Sequence, residues 1–301
     1  MKDWAKHLKR YFWLYLFLLP GFVYLIVFKY IPMAGIVVAF QDYNNVKGPF
    51  NSPWVGLKHF EYLFQSKDFY RVLGNSIIIS VYRLLAGFPA PIILALLLNE
   101  IRSLMYKRTM QTILYLPHFI SWVVVYGIIL NILSPSTGIV NRLILSLGGQ
   151  PIPFLTSAKY FRGLVVISDI WKGVGWGTVI YMAAIAGVDP TYYEAAIIDG
   201  ATRFKRIIYV TLPLITNTII VMLILRTGSI LSNGFEQIFL MQNAINSDVS
   251  EVFETYTYKV GLREGRFSFS TAVGMFQSTV GCILIFFTNY SARKFGEGGF
   301  W

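Results

Sequence analysis

Charged side chains are scarce in this chain: only 14% of its 301 residues are Asp, Glu, Lys or Arg, against about 25% in soluble domains. The single cysteine, Cys282, leaves no internal disulfide to form, and it reads as a small packing residue. Three histidines, His7, His59 and His118, are too scattered for a metal-ligand pattern. No Gly-Lys dipeptide occurs, which excludes a Walker-type phosphate loop and with it any ATP site of this kind in the chain. Lys and Arg outnumber Asp and Glu by 26 to 15, but they form no continuous stripe, so the net charge of +11 does not describe a nucleic-acid surface. Nothing resembles a nucleophile with its base, a paired-carboxylate site or a metal cluster, and an enzyme is not expected.

What the chain has in quantity is apolar length. Hydrophobic residues make up 55% of it, and the charges gather in short stretches between long apolar segments, as hydrocarbon requires. A bilayer core takes about 20 mostly apolar helical residues. Six segments qualify: 12–30, 75–98, 111–133, 164–187, 207–231 and 271–290. Lys2, Lys6, Lys9 and Arg10 precede the first. No small-residue cleavage site follows it, and the run is too long for a signal peptide, so it reads as a retained span. The expectation is an all-α integral membrane protein with six transmembrane helices.

Basic residues in short loops set the orientation. The N-terminal segment 1–11, the loop with Arg102, Lys107 and Arg108, the loop with Arg203, Lys205 and Arg206, and the tail 292–301 with Arg293 and Lys294 all fall on one side. Both termini are therefore expected in the cytoplasm. The opposite connections are long. Residues 41–71 contain Pro49, Pro53, Trp54 and Gly56, which point to a structured cap with short helices, so that 12–72 form the first span with its cap. Residues 73–291 hold the other five spans. The connection 233–269 is polar and acidic, with Glu236, Asp248, Glu251 and Glu254; loops of this length commonly bind something.

The most specific signal lies in the cytoplasmic loop 189–213. Asp189 suits a helix N-cap and Pro190 the first helical turn. About two turns can run to Ile198, where Asp199-Gly200 supply the left-handed turn that ends them. Ala195 and Ala196 permit close approach by another backbone, and Glu194 offers one charge to a basic partner. An ordinary capped interfacial helix would satisfy the same local physics.

The order Glu194-Ala195-Ala196, then Gly200, then Leu212-Pro213 resembles the EAA loop of permeases in binding-protein-dependent ABC importers. That family's pattern has isoleucine two residues before the Leu-Pro pair, where this chain has Val210. The stretches 88–100 with Pro89 and Pro91, 115–122 with Leu116-Pro117-His118, 170–176 with Trp171-Lys172-Gly173, and 234–238 with Gly234-Phe235-Glu236-Gln237 look like the polysaccharide-permease branch of the maltose-type group. The resemblance covers nearly the whole chain. It implies a multi-pass permease of the bacterial cell membrane, with the ABC importer permease fold, that translocates oligosaccharides. It also implies a cytoplasmic coupling helix at Glu194, Ala195, Ala196, Asp199 and Gly200. The implied partners are a homologous second permease, two copies of an ABC ATPase that bind the ATP and Mg, and an extracytoplasmic sugar-binding protein.

Aromatic faces stack on sugars and planar polar groups bond their hydroxyls. Candidates for such contacts are Trp122, Trp171, Trp176, Tyr181 and Gln277, with Asn233 and Glu236 beyond the fifth span. Each also has a structural reading, as an interfacial anchor or a helix bridge. Arg83, Lys172 and Arg226 place positive charge inside spans, where it must face water or a partner. They either form ion pairs with the second permease, snorkel to an interface, or line a cavity suited to uronate-containing sugars. An ion-coupled secondary carrier is the rival reading, as is an ABC permease for a non-sugar solute such as glycerol phosphate. Against the carrier stand the absence of an internal repeat and a single carboxylate in the spans, Asp169.

Overall fold

The structure is a computed structural model that describes His7 and residues 10–294. Lys2, Lys6, Lys9 and residues 295–301, which belong to the two basic terminal segments, lie outside the described residues. Five helices are long and apolar enough to cross a membrane: α1 (Phe12–Phe40), α4 (Lys67–Asn99), α8 (Ala158–Ala186), α10 (Arg203–Gly228) and α14 (Phe267–Lys294). The pair α5 (Leu104–Phe119) and α6 (Trp122–Leu133), which meet at a 100° bend, together have the length and apolarity of a sixth. Shorter helices decorate the connections: α2 (Gly48–Asn51), α3 (Lys58–Gln65), α7 (Ile139–Ser146), α9 (Pro190–Ile198), α11 (Phe235–Met241), α12 (Ser247–Ser250) and α13 (Phe253–Thr257).

The third apolar segment, read as one span over 111–133, is therefore broken. Pro117 lacks the N–H that would continue the ladder, the last turn of α5 tightens to i→i+3 bonds over Leu116–Phe119, and Ile120 is extended. Ser121 then restarts the chain as an N-cap, its hydroxyl accepting the Val124 N–H at 3.4 Å.

Contacts group the chain into two compact units, residues 1–66 with 257–276, and residues 67–256 with 277–301. In the first, α1 leaves its apolar side chains exposed throughout Phe12–Met33. That is the pattern of a helix whose solvent is lipid or another apolar chain. The cap expected over 41–71 is folded. Gln41 pairs antiparallel with Trp54, His59 bonds the Gln41 carbonyl at 3.0 Å, Tyr43 N–H donates to Ser268 Oγ at 3.0 Å, and Arg266 lies over the Tyr62 ring.

The second unit has two apolar cores. Ile79, Phe161, Val165, Ile238, Met241 and Val252 form one; Ile92, Ala95, Leu96, Tyr181, Ile185 and Ile215 form the other. The helix α8 contributes to both from one face, which also carries Ser168, Gly175 and Thr178 at three- and four-residue spacing. At Gly175 this face meets α5 backbone to backbone: a Cβ there would overlap the Leu114 carbonyl. Gly281 of α14 likewise presses on the Gly228 carbonyl of α10. Small residues at such crossings are how apolar helices approach when lipid competes for the same surfaces. In the connection after α6, Asn141 donates to the Leu133, Ser134 and Ile152 carbonyls, each at 3.1 Å, and so staples α7 in place.

Replacing Gly175 with Val should lower the thermal midpoint of the purified protein in detergent by an amount matching an overpacking penalty of about 1–3 kcal/mol. Gly163→Ala, on an exposed stretch of the same helix with open space around it, should leave the midpoint unchanged or raise it. Equal midpoints for G175V and the wild type would show that α5 and α8 are not in backbone contact.

Candidate functional site

The loop helix α9 forms as its sequence dictates. Asp189 has an extended backbone and accepts from the Thr191 N–H at 2.9 Å and the Thr191 hydroxyl at 2.8 Å. These two donors hold its carboxyl below the usual aspartate range. The cap is therefore complete above the ordinary aspartate pKa and fails as pH falls through the lowered one. At the other end Gly200 takes φ +74. The Ala201 N–H reaches back to the Ala196 carbonyl at 2.9 Å and the Gly200 N–H to Ile197 at 3.0 Å, the paired bonds of a Schellman stop. Between these ends none of the helix is buried, and Glu194, Ala195, Ile197 and Ile198 are all exposed. One side-chain tie joins it to α10, from the Tyr193 hydroxyl to Thr211 Oγ1 at 3.1 Å. That tie lands at the end of a wide i→i+5 turn, Ile207–Thr211, within α10.

A second polar assembly lies inside the same unit. Arg83 begins a wide turn, Arg83–Gly87, in the middle of α4 and is 5% exposed. It donates to the Asn233 carbonyl at 2.6 Å and to Gln237 Oε1, and its Nε stands 3.6 Å from Asp169 Oδ2 on α8. Gln237 in turn donates to the Val165 carbonyl at 2.8 Å and to Ser168 Oγ at 2.9 Å. Asn233 bonds the Ser76 carbonyl, while Ser80 contacts Asn233 and donates to the Ile230 carbonyl. Glu254 accepts the Asn233 N–H at 2.7 Å. Further along, Arg71 pairs with Asp248 at 3.3 Å and Glu251 at 3.0 Å. Three of the four acids expected to give the 233–269 connection a binding face are thus engaged within the chain.

Beside this assembly is a cavity of about 310 Å³, walled by α4, α8, α10 and the end of α5. Asp169, Trp176, Tyr181 and Arg226 line it, with His118 and Phe88. Trp176 stacks flat on His118 at 4.8 Å and takes the edge of Phe119 at 5.8 Å. The other residues singled out from sequence fall elsewhere. Lys172 donates to the His118 carbonyl at 2.6 Å, with its Nζ over the Trp122 ring, and so serves the carbonyls left open by the break after α5. Trp171 is exposed on α8, and Glu236 is exposed on the first turn of α11. Asn233 belongs to the Arg83 assembly. Gln277 bonds the Leu231 carbonyl at 2.8 Å and lines a separate hollow of about 400 Å³ with Glu254. Of the span cations Arg83, Lys172 and Arg226, the first two find their partners within the chain. Sequence reading passed over Ser80, Ser168 and Gln237; the signal for Gln237 was its place directly after Glu236 in an already noted stretch.

Apolar helices of bilayer length, a cavity among them with a few polar groups on its wall, and a capped helix standing free at a loop define a membrane permease. The chain belongs to the family of binding-protein-dependent transport system inner membrane components, whose model matches residues 87–296. Protein LplB of Bacillus subtilis (strain 168) is 50% identical over 99% of this chain and 93% of its own length. The polygalacturonan/rhamnogalacturonan transport system permease protein YteP of the same organism is 48% identical over 95% of this chain and 89% of its own. A chain in the crystal structure of a bacterial ABC transporter involved in the import of the acidic polysaccharide alginate superposes with a TM-score of 0.88 at 41% identity, covering 98% of this chain and 99% of that one. The chain is accordingly an inner-membrane transport component with an ABC importer permease fold.

Arg83→Met should destabilise the protein by about 3–5 kcal/mol, because it strands Asp169 and leaves the acceptors of Asn233 and Gln237 unmatched. Adding Asp169→Asn to the same protein should recover part of the loss. Thermal unfolding of the two variants in detergent checks this, and full additivity of the two changes would refute the pairing.

Proposed function

We propose that this chain is one of two permease subunits of an ATP-driven importer for oligosaccharides that carry uronate residues. An extracytoplasmic binding protein delivers the sugar, and two ATPase copies, which bind ATP and Mg, dock on α9 from the cytoplasm. The observation that carries the reading is α9 itself. A helix capped at both ends, with no residue buried and tied to α10 by one hydroxyl, has been kept rigid for contact with something outside the chain. In this reading Glu194 meets a basic group of the ATPase, Ala195 and Ala196 admit its surface, and Asp199-Gly200 set the turn away from it. The cargo is supported by the polygalacturonan/rhamnogalacturonan permease and by the alginate importer, both of which handle uronate polymers.

An ion-coupled carrier is disfavoured by the same structure. Asp169, the one carboxylate in the middle of a span, sits 3.6 Å from Arg83 and is thereby engaged in an ion pair within the chain. A permease for a non-sugar solute such as glycerol phosphate is the other reading, and cargo assays separate it.

Glu194→Ala should weaken association with the ATPase by about 30-fold or more, or uncouple hydrolysis from uptake, since it unpairs a charge at an interface at a cost of about 2–5 kcal/mol. Membrane insertion should be unaffected. Transport and complex yield both at wild-type levels would remove α9 from the docking role. The chain reconstituted by itself should show no ATP-dependent uptake of oligogalacturonides. The full complex should take them up in a vanadate-sensitive, uncoupler-resistant manner and ignore glycerol phosphate. The opposite sensitivity would support the carrier.

A further inference from the structure

Of the span cations Arg83, Lys172 and Arg226, the last is left available. Arg83 is surrounded by acceptors and Lys172 is spent on backbone carbonyls. Arg226 stands exposed on the last turn of α10. Among the described residues no carboxylate lies within ion-pair distance of it. Its position at a helix C-terminus, where carbonyl dipoles favour positive charge, lets the guanidinium stay there without a carboxylate partner.

Two neighbours give this cation a direction. Arg226 and Asp169 line the same cavity, and Arg226 and Arg83 line a smaller recess beside it. The three groups sum to one positive charge. If Asp169 were loose it would be drawn to Arg226 and would repel an anion; held by Arg83, it does neither. Trp176, fixed against His118 and still 48% exposed, adds an aromatic surface to the same wall.

We propose that Arg226 is a carboxylate-binding residue of this cavity, reading uronate groups as the cargo passes, and that the Arg83–Asp169 pair is a positioning device that keeps it free. The inference rests on the importer reading above. A guanidinium presents two parallel N–H donors that match the two oxygens of a carboxylate and match no single sugar hydroxyl. Low-dielectric helix walls flank the cavity, so the attraction is less screened there than in bulk solvent. An aromatic surface beside the cation suits the C–H face of the sugar ring that bears the acid.

The test uses the complete importer in proteoliposomes, with trigalacturonate and its fully methyl-esterified analogue as cargo. The affinity of the binding protein for each compound is measured separately. Arg226→Gln should reduce uptake of the acid by about tenfold, the loss expected for one charge-assisted hydrogen bond, and leave uptake of the ester unchanged. Arg226→Lys should retain part of the preference, and Asp169→Asn should preserve it or sharpen it. Equal loss of both compounds in R226Q would make Arg226 a structural residue, and no loss of either would place it at the membrane surface; both results overturn the proposal. A wild-type complex that imports the acid and the ester equally well once delivery is corrected would leave the importer reading standing and this inference refuted. A complex that imports neither would refute both.

Discussion

A guanidinium enclosed among apolar helices has to be met by acceptors wherever they can be found, because no water is there to replace them. Arg83 imposes that condition on three separate parts of the second unit. The wide turn Arg83–Gly87 interrupts α4 at this residue, α8 contributes Asp169, and the segment after α10 contributes the Asn233 carbonyl and Gln237. Asn233 and Gln237 are themselves bonded onward, to Val165, Ser168, Ser76 and Glu254. The network specifies how α4, α8 and α11 meet, a matter on which apolar packing alone is permissive. It also sets the electrostatics of the adjoining cavity, since one of its members is a cavity wall.

The sequence made much of this architecture legible. Runs of about 20 apolar residues located the spans, because length and lack of charge are all that hydrocarbon asks for. The loop helix was equally open to reading. Asp189, Pro190 and Gly200 each have one conformational preference, and the three agree on where α9 starts and stops. The bend in the third span was concealed, since Pro117 and His118 sit within a run whose average apolarity hides a local break. Ser121, a good N-cap four residues after a proline, was the available hint. The Arg83 assembly was beyond reach. Gln237 lies 154 residues from Arg83, and Ser80 and Ser168 are small residues of a kind common in such helices. Partners in a network of this sort are fixed by tertiary approach and leave no periodicity behind.

The break after α5 shows how irregular backbone is accommodated at membrane depth. Carbonyls freed where Pro117 interrupts the helix would be intolerable facing lipid. Lys172 satisfies two of them from α8, with its charge over Trp122. The same break brings His118 and Phe119 against Trp176. One interruption therefore shapes a wall of the cavity and gives an intramembrane lysine its role.

Because α9 is stopped at both ends by its own caps, it does not fray, and nine residues give it a length of about 13 Å. Gly187 precedes it and Gly200 follows it, each bonded back to the preceding helical turn, so the stiff piece is held at set angles to its neighbours. A body of this kind transmits displacement as a crank does, conserving its own form while turning what it is attached to. Tyr193 ties it to Thr211, at the end of the wide turn of α10, and that same helix carries Arg226 at its far end.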